Sequence, residues 1–240
     1  MSASTDRKVV IVTGGSQGIG AGIVEGYRQS GWAVVATARK IAPGSDPALL
    51  AVPGDLSDPS TADRIVSEAV GTFGRIDTLV NNAGVYLSKP FVDYTADDYA
   101  TVAGVNLKGF FRLTQLVITH MLERGGTGHV VNITTTLVDV ADSSTPSALT
   151  ALTKGGLAAA TRSLAVEYAS RGIRVNAVSP GVIQTPVHPP ESYAHLGTQL
   201  PPVGHVGQVS DIVGAVLFLE SSPFVTGEIL HVDGGQIAGH

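Results

Sequence analysis

The chain has 240 residues, of which 43% are hydrophobic and 15% charged, proportions that predict an ordered core rather than disorder. A net charge of −5 and an isoelectric point near 5.7 argue against nucleic acid or an anionic membrane as a partner. Cysteine is absent, which excludes disulfides, thiolate catalysis and cysteine-ligated zinc.

The opening MSASTDRK has no apolar stretch of the signal-peptide kind, and no apolar run reaches membrane-spanning length, so a cytoplasmic protein is expected. KVVIVT (8–13) reads as a β-branched strand, followed by a glycine turn and a helical stretch over 18–30. WAVVATA (32–38) is a second strand and LLAVPGD (49–55) contains a third. DTLVNNA (77–83) and HVVNIT (129–134) are apolar without clean alternation, as strands buried on both faces are. Between them the pattern predicts one long helix from Thr95 or Asp97 to Gly125-Gly126. Another helix is predicted over 146–171, then a strand at 173–179, a helix over 210–220 capped by Ser210, and a last strand in GEILHVDG. Residues 182–208, rich in Pro, Gly and His, are too long for an ordinary connection and suggest a substrate lid. There is no repeat and no interdomain linker. The βα alternation therefore predicts a single α/β domain over 1–240, a doubly wound parallel sheet of about seven strands with helices on both faces.

In VVIVTGGSQGIGAGI, Gly14, Gly18 and Gly20 fall between a strand and a helix, with Ser16, Gln17 and Ile19 among them. Glycines there allow close approach of an anion, and the helix start supplies free N–H groups and positive dipole. The second strand ends in Thr37, Ala38, Arg39 and Lys40, with no carboxylate to hold a ribose 2′-hydroxyl. A basic pair there suits a 2′-phosphate, which favours NADP(H) and leaves NAD(H) possible. Farther on, Lys154 is the only ionisable side chain between Asp142 and Arg162, with the hydroxyl of Thr150 one turn before it.

Taken in order, these motifs resemble the short-chain dehydrogenase/reductase family almost end to end. The T-G-x-x-x-G-I-G motif is Thr13 to Gly20, the adenine-side acid is Asp55 followed by Leu56, and N-N-A-G is Asn81 to Gly84, including Asn82 and Ala83. The resemblance further matches Asn106 in VNLKG to the active-site asparagine, Pro180-Gly181 to the motif after the sixth strand, and Thr185 to a cofactor contact. It implies a Rossmann-like fold, a nicotinamide cofactor, a small-molecule substrate and a homo-oligomer, dimer or tetramer, built on the helices near 96–124 and 146–171. In the family a Tyr-x-x-x-Lys pair shares one helix face, and the lysine binds ribose and makes the phenol more acidic. Lys154 matches that lysine, and Thr150 stands at the tyrosine position. The family's serine falls on Thr135, with Thr134 and Thr136 as register alternatives.

An alkanol is a far poorer acid than a phenol. Three readings follow: an oxidoreductase acting on a carbonyl or alcohol with another proton donor, an isomerase or dehydratase derived from the same site, or a nucleotide-binding protein without redox turnover. The first is preferred, with Tyr86, His188, Tyr193 and His195 as candidate donors. The lid segment is uncharged apart from Glu191, which favours an uncharged, partly apolar substrate. The remaining histidines, at 120, 129, 205, 231 and 240, lack close metal-ligand spacing, and no metal is expected.

Overall fold

A computed structural model describes residues 7–186 and 201–239. Seven strands form one parallel sheet in the order β3-β2-β1-β4-β5-β6-β7. They are β1 (Val9–Thr13), β2 (Ala33–Ala38), β3 (Leu49–Pro53), β4 (Thr78–Asn81), β5 (Gly128–Ile133), β6 (Ile173–Pro180) and β7 (Ile229–Val232). The strand order reverses between β1 and β4, so the crevice beyond their carboxyl ends is the natural place for a ligand.

Among the described residues six α-helices cover the two faces: α1 (Gly18–Gln29), α2 (Pro59–Phe73), α3 (Ala96–Ala103), α4 (Phe110–Glu123), α5 (Ala148–Tyr168) and α6 (Val209–Ser221). Along β1 the side chains alternate between two cores. Val9 and Ile11 pack with Ile65 of α2, Leu113 and Val117 of α4 and Ala165 of α5. Val10 and Val12 pack with Ile23 and Tyr27 of α1 and Ile212 and Leu219 of α6. Burial on both faces is the physical reason that these strands read as unbroken apolar runs.

Three expectations need correction. Residues 56–76 carry no assignment from their apolar pattern, yet they hold α2. Its start is local: Pro59 takes the first position and the Asp58 carboxylate accepts the Ser60 N–H at 2.9 Å. The long helix after Thr95 is interrupted by a π-turn over Gly104–Gly109, which carries Asn106. Here the chain presses on its neighbour, because a Cβ on Gly109 would lie 2.8 Å from both Leu56 Cβ and the Leu56 carbonyl oxygen. Finally, α6 is capped at Gln208 rather than Ser210, since the Asp211 carboxylate reaches back to the Gln208 N–H at 2.7 Å. Of the expected lid only the ends are described, where Ile183 pairs with Gly207. Residues 187–200, including His188, Glu191, Tyr193 and His195, lie outside the described residues.

Buried polar groups tie the layers together. Asn81 donates to Asn132 Oδ1 at 3.0 Å, and Asn132 donates to Thr161 Oγ1 at 2.8 Å, which links β4, β5 and α5. At the opposite rim Glu220 of α6 accepts from Tyr27 at 3.1 Å and Thr78 at 3.0 Å and pairs with His129 Nδ1 at 2.9 Å.

Gly109→Ala should cost about 1–3 kcal/mol, since the main chain of residue 56 cannot step aside. Gly71→Ala, also helical and with nothing within 4 Å of the added carbon, should instead stabilise by roughly 0.5–1 kcal/mol. Urea denaturation of the two variants beside wild type measures both.

Candidate functional site

The carboxyl ends of β1 and β4 are stitched by Thr13. Its hydroxyl accepts the N–H groups of Asn82 at 3.0 Å and Ala83 at 2.9 Å, while Asn82 Nδ2 donates to the Thr13 carbonyl at 2.9 Å. The glycine turn lies directly on this seam. Gly14 and Gly18 adopt φ of 68° and 54°, and a Cβ on Gly20 would collide with the Gly14 carbonyl oxygen. Ser16 and Gln17 are exposed, Ile19 is half-buried against the core, and Gln17 gives α1 no side-chain cap. The first N–H groups of the helix therefore remain open to an anion. Thr185 closes over the turn, its Cβ 3.4 Å from where a Gly18 Cβ would be. Pro180 ends β6, and Gly181 donates its N–H to the Val232 carbonyl at 3.0 Å.

Around the outer corner, Arg39 and Lys40 project exposed beyond β2. The Asp55 carboxylate accepts the Ser57 N–H at 2.9 Å. Hydrogen bonds from Ser57 hold its carboxyl below the ordinary carboxylate range, and the nearby Arg39 charge adds to this. Leu56 is half-buried behind it, against the π-turn.

Asn106 organises the other half. It is 1% exposed, and its side-chain oxygen accepts the Val85 N–H at 2.8 Å. Its Nδ2 donates to the Val85 carbonyl at 3.0 Å and to Thr153 Oγ1 at 3.1 Å. Beside it Lys154, only 7% exposed, donates to the Ile133 carbonyl at 2.7 Å. Among the described residues no carboxylate pairs with this ammonium. Burial alone pulls its pKa from 10.5 down to about 8. The Nζ also lies 3.0 Å from where a Gly84 Cβ would stand, so Gly84 leaves the space in front of it open.

The hydroxyls differ in what they can still do. Thr134 is buried and donates to the Val178 carbonyl at 3.2 Å, and Thr136 is buried and donates to Gln236 Oε1 at 3.4 Å. Thr135 is half-exposed and its oxygen accepts the Leu137 N–H at 3.4 Å, so its own proton has no acceptor among the described residues. Thr150 is 4% exposed, accepts the Leu87 N–H and donates to the Leu87 carbonyl, each at 3.4 Å. Thr150, which stands at the tyrosine position of the family motif, thus makes two long contacts to the loop after β4. Tyr86, 43% exposed, reaches α5 through a 3.4 Å contact between its hydroxyl and Ser147 Oγ.

The structure thus gathers the glycine turn, Asn82 to Gly84, Asn106, Thr135, Lys154 and Thr185 at one crevice, and sets Arg39 and Asp55 at its outer corner. Thr13 heads the glycine motif read from the sequence, and its hydroxyl joins two strand ends, whereas Thr153 has no sequence signal beyond adjacency to Lys154. The described histidines contribute nothing here, since His129 belongs to the opposite rim and His231 pairs with Asp139 at 3.2 Å. No group of three or more potential metal ligands occurs among the described residues, and no helix among them is long and apolar enough to cross a membrane.

This strand order, with a glycine turn opening α1 at the switch point, defines a nucleotide-binding α/β protein. The family model described as enoyl-(acyl carrier protein) reductase matches residues 14–236. L-Fucose dehydrogenase of Bos taurus is 35% identical over 97% of this chain and 90% of that protein. Among solved structures, ElxO with NADP bound superposes with a TM-score of 0.90 at 27% identity, covering 97% of this chain and 100% of that one. A 3-ketoacyl-(acyl-carrier-protein) reductase from Brucella melitensis, complexed with NADH, does so at 0.87 and 30% identity, covering 98% of this chain and 100% of that one. The chain belongs to the short-chain dehydrogenase/reductase family of oxidoreductases.

Lys154 also makes a stability test. Its folded pKa lies below its unfolded value, so the unfolded chain binds more protons between pH about 8 and 10.5, and stability rises with pH across that window. The shift corresponds to about 3 kcal/mol held against the fold at neutral pH. Lys154→Met removes that term, so its stability relative to wild type should be most favourable below pH 8 and decline steadily toward pH 10.5. Denaturant titrations across this range read the change directly.

Proposed function

We propose that the protein is an NADP(H)-dependent oxidoreductase that interconverts a small, uncharged carbonyl compound and its alcohol, using a proton donor other than residue 150. The observation that carries this reading is Lys154, a buried cation without a carboxylate, facing the space that Gly84 leaves open. A ribose diol fits that position, since its oxygens can accept the remaining ammonium protons. When bound, the nicotinamide cofactor supplies or takes up the hydride.

The chain's own groups supply the rest. The open N–H groups of α1 and the Thr185 hydroxyl suit a pyrophosphate, and Thr135 offers its proton to the substrate oxygen. Asn106 fixes the Val85 main chain at the edge of the pocket. Phe91 and Val92, both exposed, continue the segment after β4 with an apolar surface, in keeping with a partly apolar substrate. A second copy of the chain would pair through α3 to α5, where Tyr99 and Phe111 are exposed beside a depression of about 610 Å³.

The occupied hydroxyl of Thr150 also favours a second reading, a nucleotide-binding protein without redox turnover. Oxidation of NADPH against a panel of aldehydes and ketones separates the two. Turnover supports the oxidoreductase, and bound cofactor without turnover supports the alternative.

For the cofactor, Ala38 ends β2 without a carboxylate, and Arg39 and Lys40 offer positive charge. Calorimetric titration should show tighter binding of NADP(H) than of NAD(H). Arg39→Ala should weaken NADPH binding roughly 10–100-fold, as expected for loss of a charged hydrogen bond, and leave NADH binding little changed. Equal affinity of wild type for both cofactors would overturn the assignment of Arg39.

A further inference from the structure

We propose that Tyr86 is the general acid of this site, delivering from the loop after β4 the phenol that position 150 of α5 does not carry. The inference rests on the oxidoreductase reading above and adds to it the identity of the proton donor.

The placement follows from three contacts. Ser147 precedes Thr150 by three residues and Lys154 by seven, so all three share one face of α5. The Tyr86 hydroxyl lies 3.4 Å from Ser147 Oγ, which brings a phenol onto the stripe that carries Thr150 and Lys154, one turn nearer the helix start. Ser147 already donates its proton to the Thr145 carbonyl at 2.8 Å, so its oxygen is the acceptor and Tyr86 the donor. The phenol thus gives its proton to Ser147, at the start of the helix face that also carries Lys154.

Tyr86 is also held. Asn106 clamps Val85 on one side through both its N–H and its carbonyl. Leu87 on the other side is bound by Thr150 and by the Tyr94 hydroxyl, which donates to the Leu87 carbonyl at 2.9 Å. Ser88 and Lys89 then donate to the Pro146 carbonyl at 2.9 Å and 3.0 Å. The backbone carrying the phenol is therefore fixed on both sides, as a general acid requires. The tyrosine itself remains 43% exposed, which gives its hydroxyl a route to solvent.

In the reducing direction a bound nicotinamide would supply the hydride to the carbonyl carbon, and the C=O π pair would move onto oxygen. The Tyr86 O–H bond breaks to give that oxygen its proton. Ser147 can then turn its hydroxyl from Thr145 to the phenolate, which regains a proton from water.

The test compares wild type with Tyr86→Phe, which keeps the ring and removes only the hydroxyl. Acetylation of tyrosines by N-acetylimidazole, followed by peptide mapping, needs no turnover. NADP⁺ should slow acetylation of wild-type Tyr86 severalfold and leave tyrosines distant from the crevice unchanged. With NADPH and the best carbonyl substrate of wild type, Tyr86→Phe should lose about 10²–10⁴-fold in kcat, the usual contribution of a general acid. Its cofactor affinity should be unchanged, and the pH dependence contributed by the acid should disappear. A variant that keeps turnover within a few-fold of wild type overturns the role of Tyr86 and leaves the oxidoreductase reading standing. Absence of NADP⁺ protection at Tyr86 also overturns it. If wild type binds NADPH but reduces nothing in the panel, the oxidoreductase reading fails and the assignment of Tyr86 as its acid fails with it.

Discussion

The side chain of Asn106 holds the site together. One amide fills three hydrogen bonds, two to Val85 and one to Thr153, and so joins the π-turn, the loop after β4 and α5. Such a buried amide must be satisfied at both ends, since an orphaned donor or acceptor costs about 1–3 kcal/mol. The constraint acts in both directions. The π-turn carries Asn106 where it meets Val85, and the two hydrogen bonds to Val85 tie the turn to that loop. Gly109 permits this by letting the widened turn lie against Leu56, so the segment after Asp55 and the loop after β4 share one mechanical element.

The consequence for α5 is a division of labour among hydroxyls. Thr150 is too short to reach across the crevice, and its oxygen instead accepts from and donates to Leu87. Residues 86 and 87 of the same loop thus both meet the start of α5, Leu87 at Thr150 and Tyr86 at Ser147.

Much of this was legible in the sequence wherever the signal is local. The glycine turn between strand and helix, the N-N-A-G segment and the isolation of Lys154 could each be read without coordinates. The sheet followed from unbroken apolar runs at regular spacing. Helix α2 was equally legible from Asp58-Pro59, but its apolar residues at 62, 65 and 69 make a stripe easily passed over between two strands. What could not be read depends on partners distant in the chain. Thr134, Thr135 and Thr136 are chemically identical, and only Val178 and Gln236 reveal which two protons are occupied. The partners of the π-turn, Leu56 against Gly109 and Val85 against Asn106, lie far away in the chain, out of reach of the local pattern of VNLKG.

A comparison of the two ends of the sheet bears on what Lys154 is for. At the rim away from the crevice Glu220 is surrounded by donors: Tyr27, Thr78 and His129 reach its carboxylate. Burial pushes the Glu220 carboxyl up, and those hydrogen bonds outweigh it and hold the group below its usual range. Arg174, beside it, donates to the carbonyls of Leu219 at 2.8 Å and Glu220 at 3.0 Å. This fold compensates a buried charge where structure is the only demand. Lys154 has a single main-chain acceptor, and among the described residues no carboxylate offsets the burial that disfavours its ammonium. On the proposed reading, oxygen ligands arriving beside the open glycine and the open helix start would relieve that imbalance, so part of the binding energy for a ribose would be held ready in the free protein.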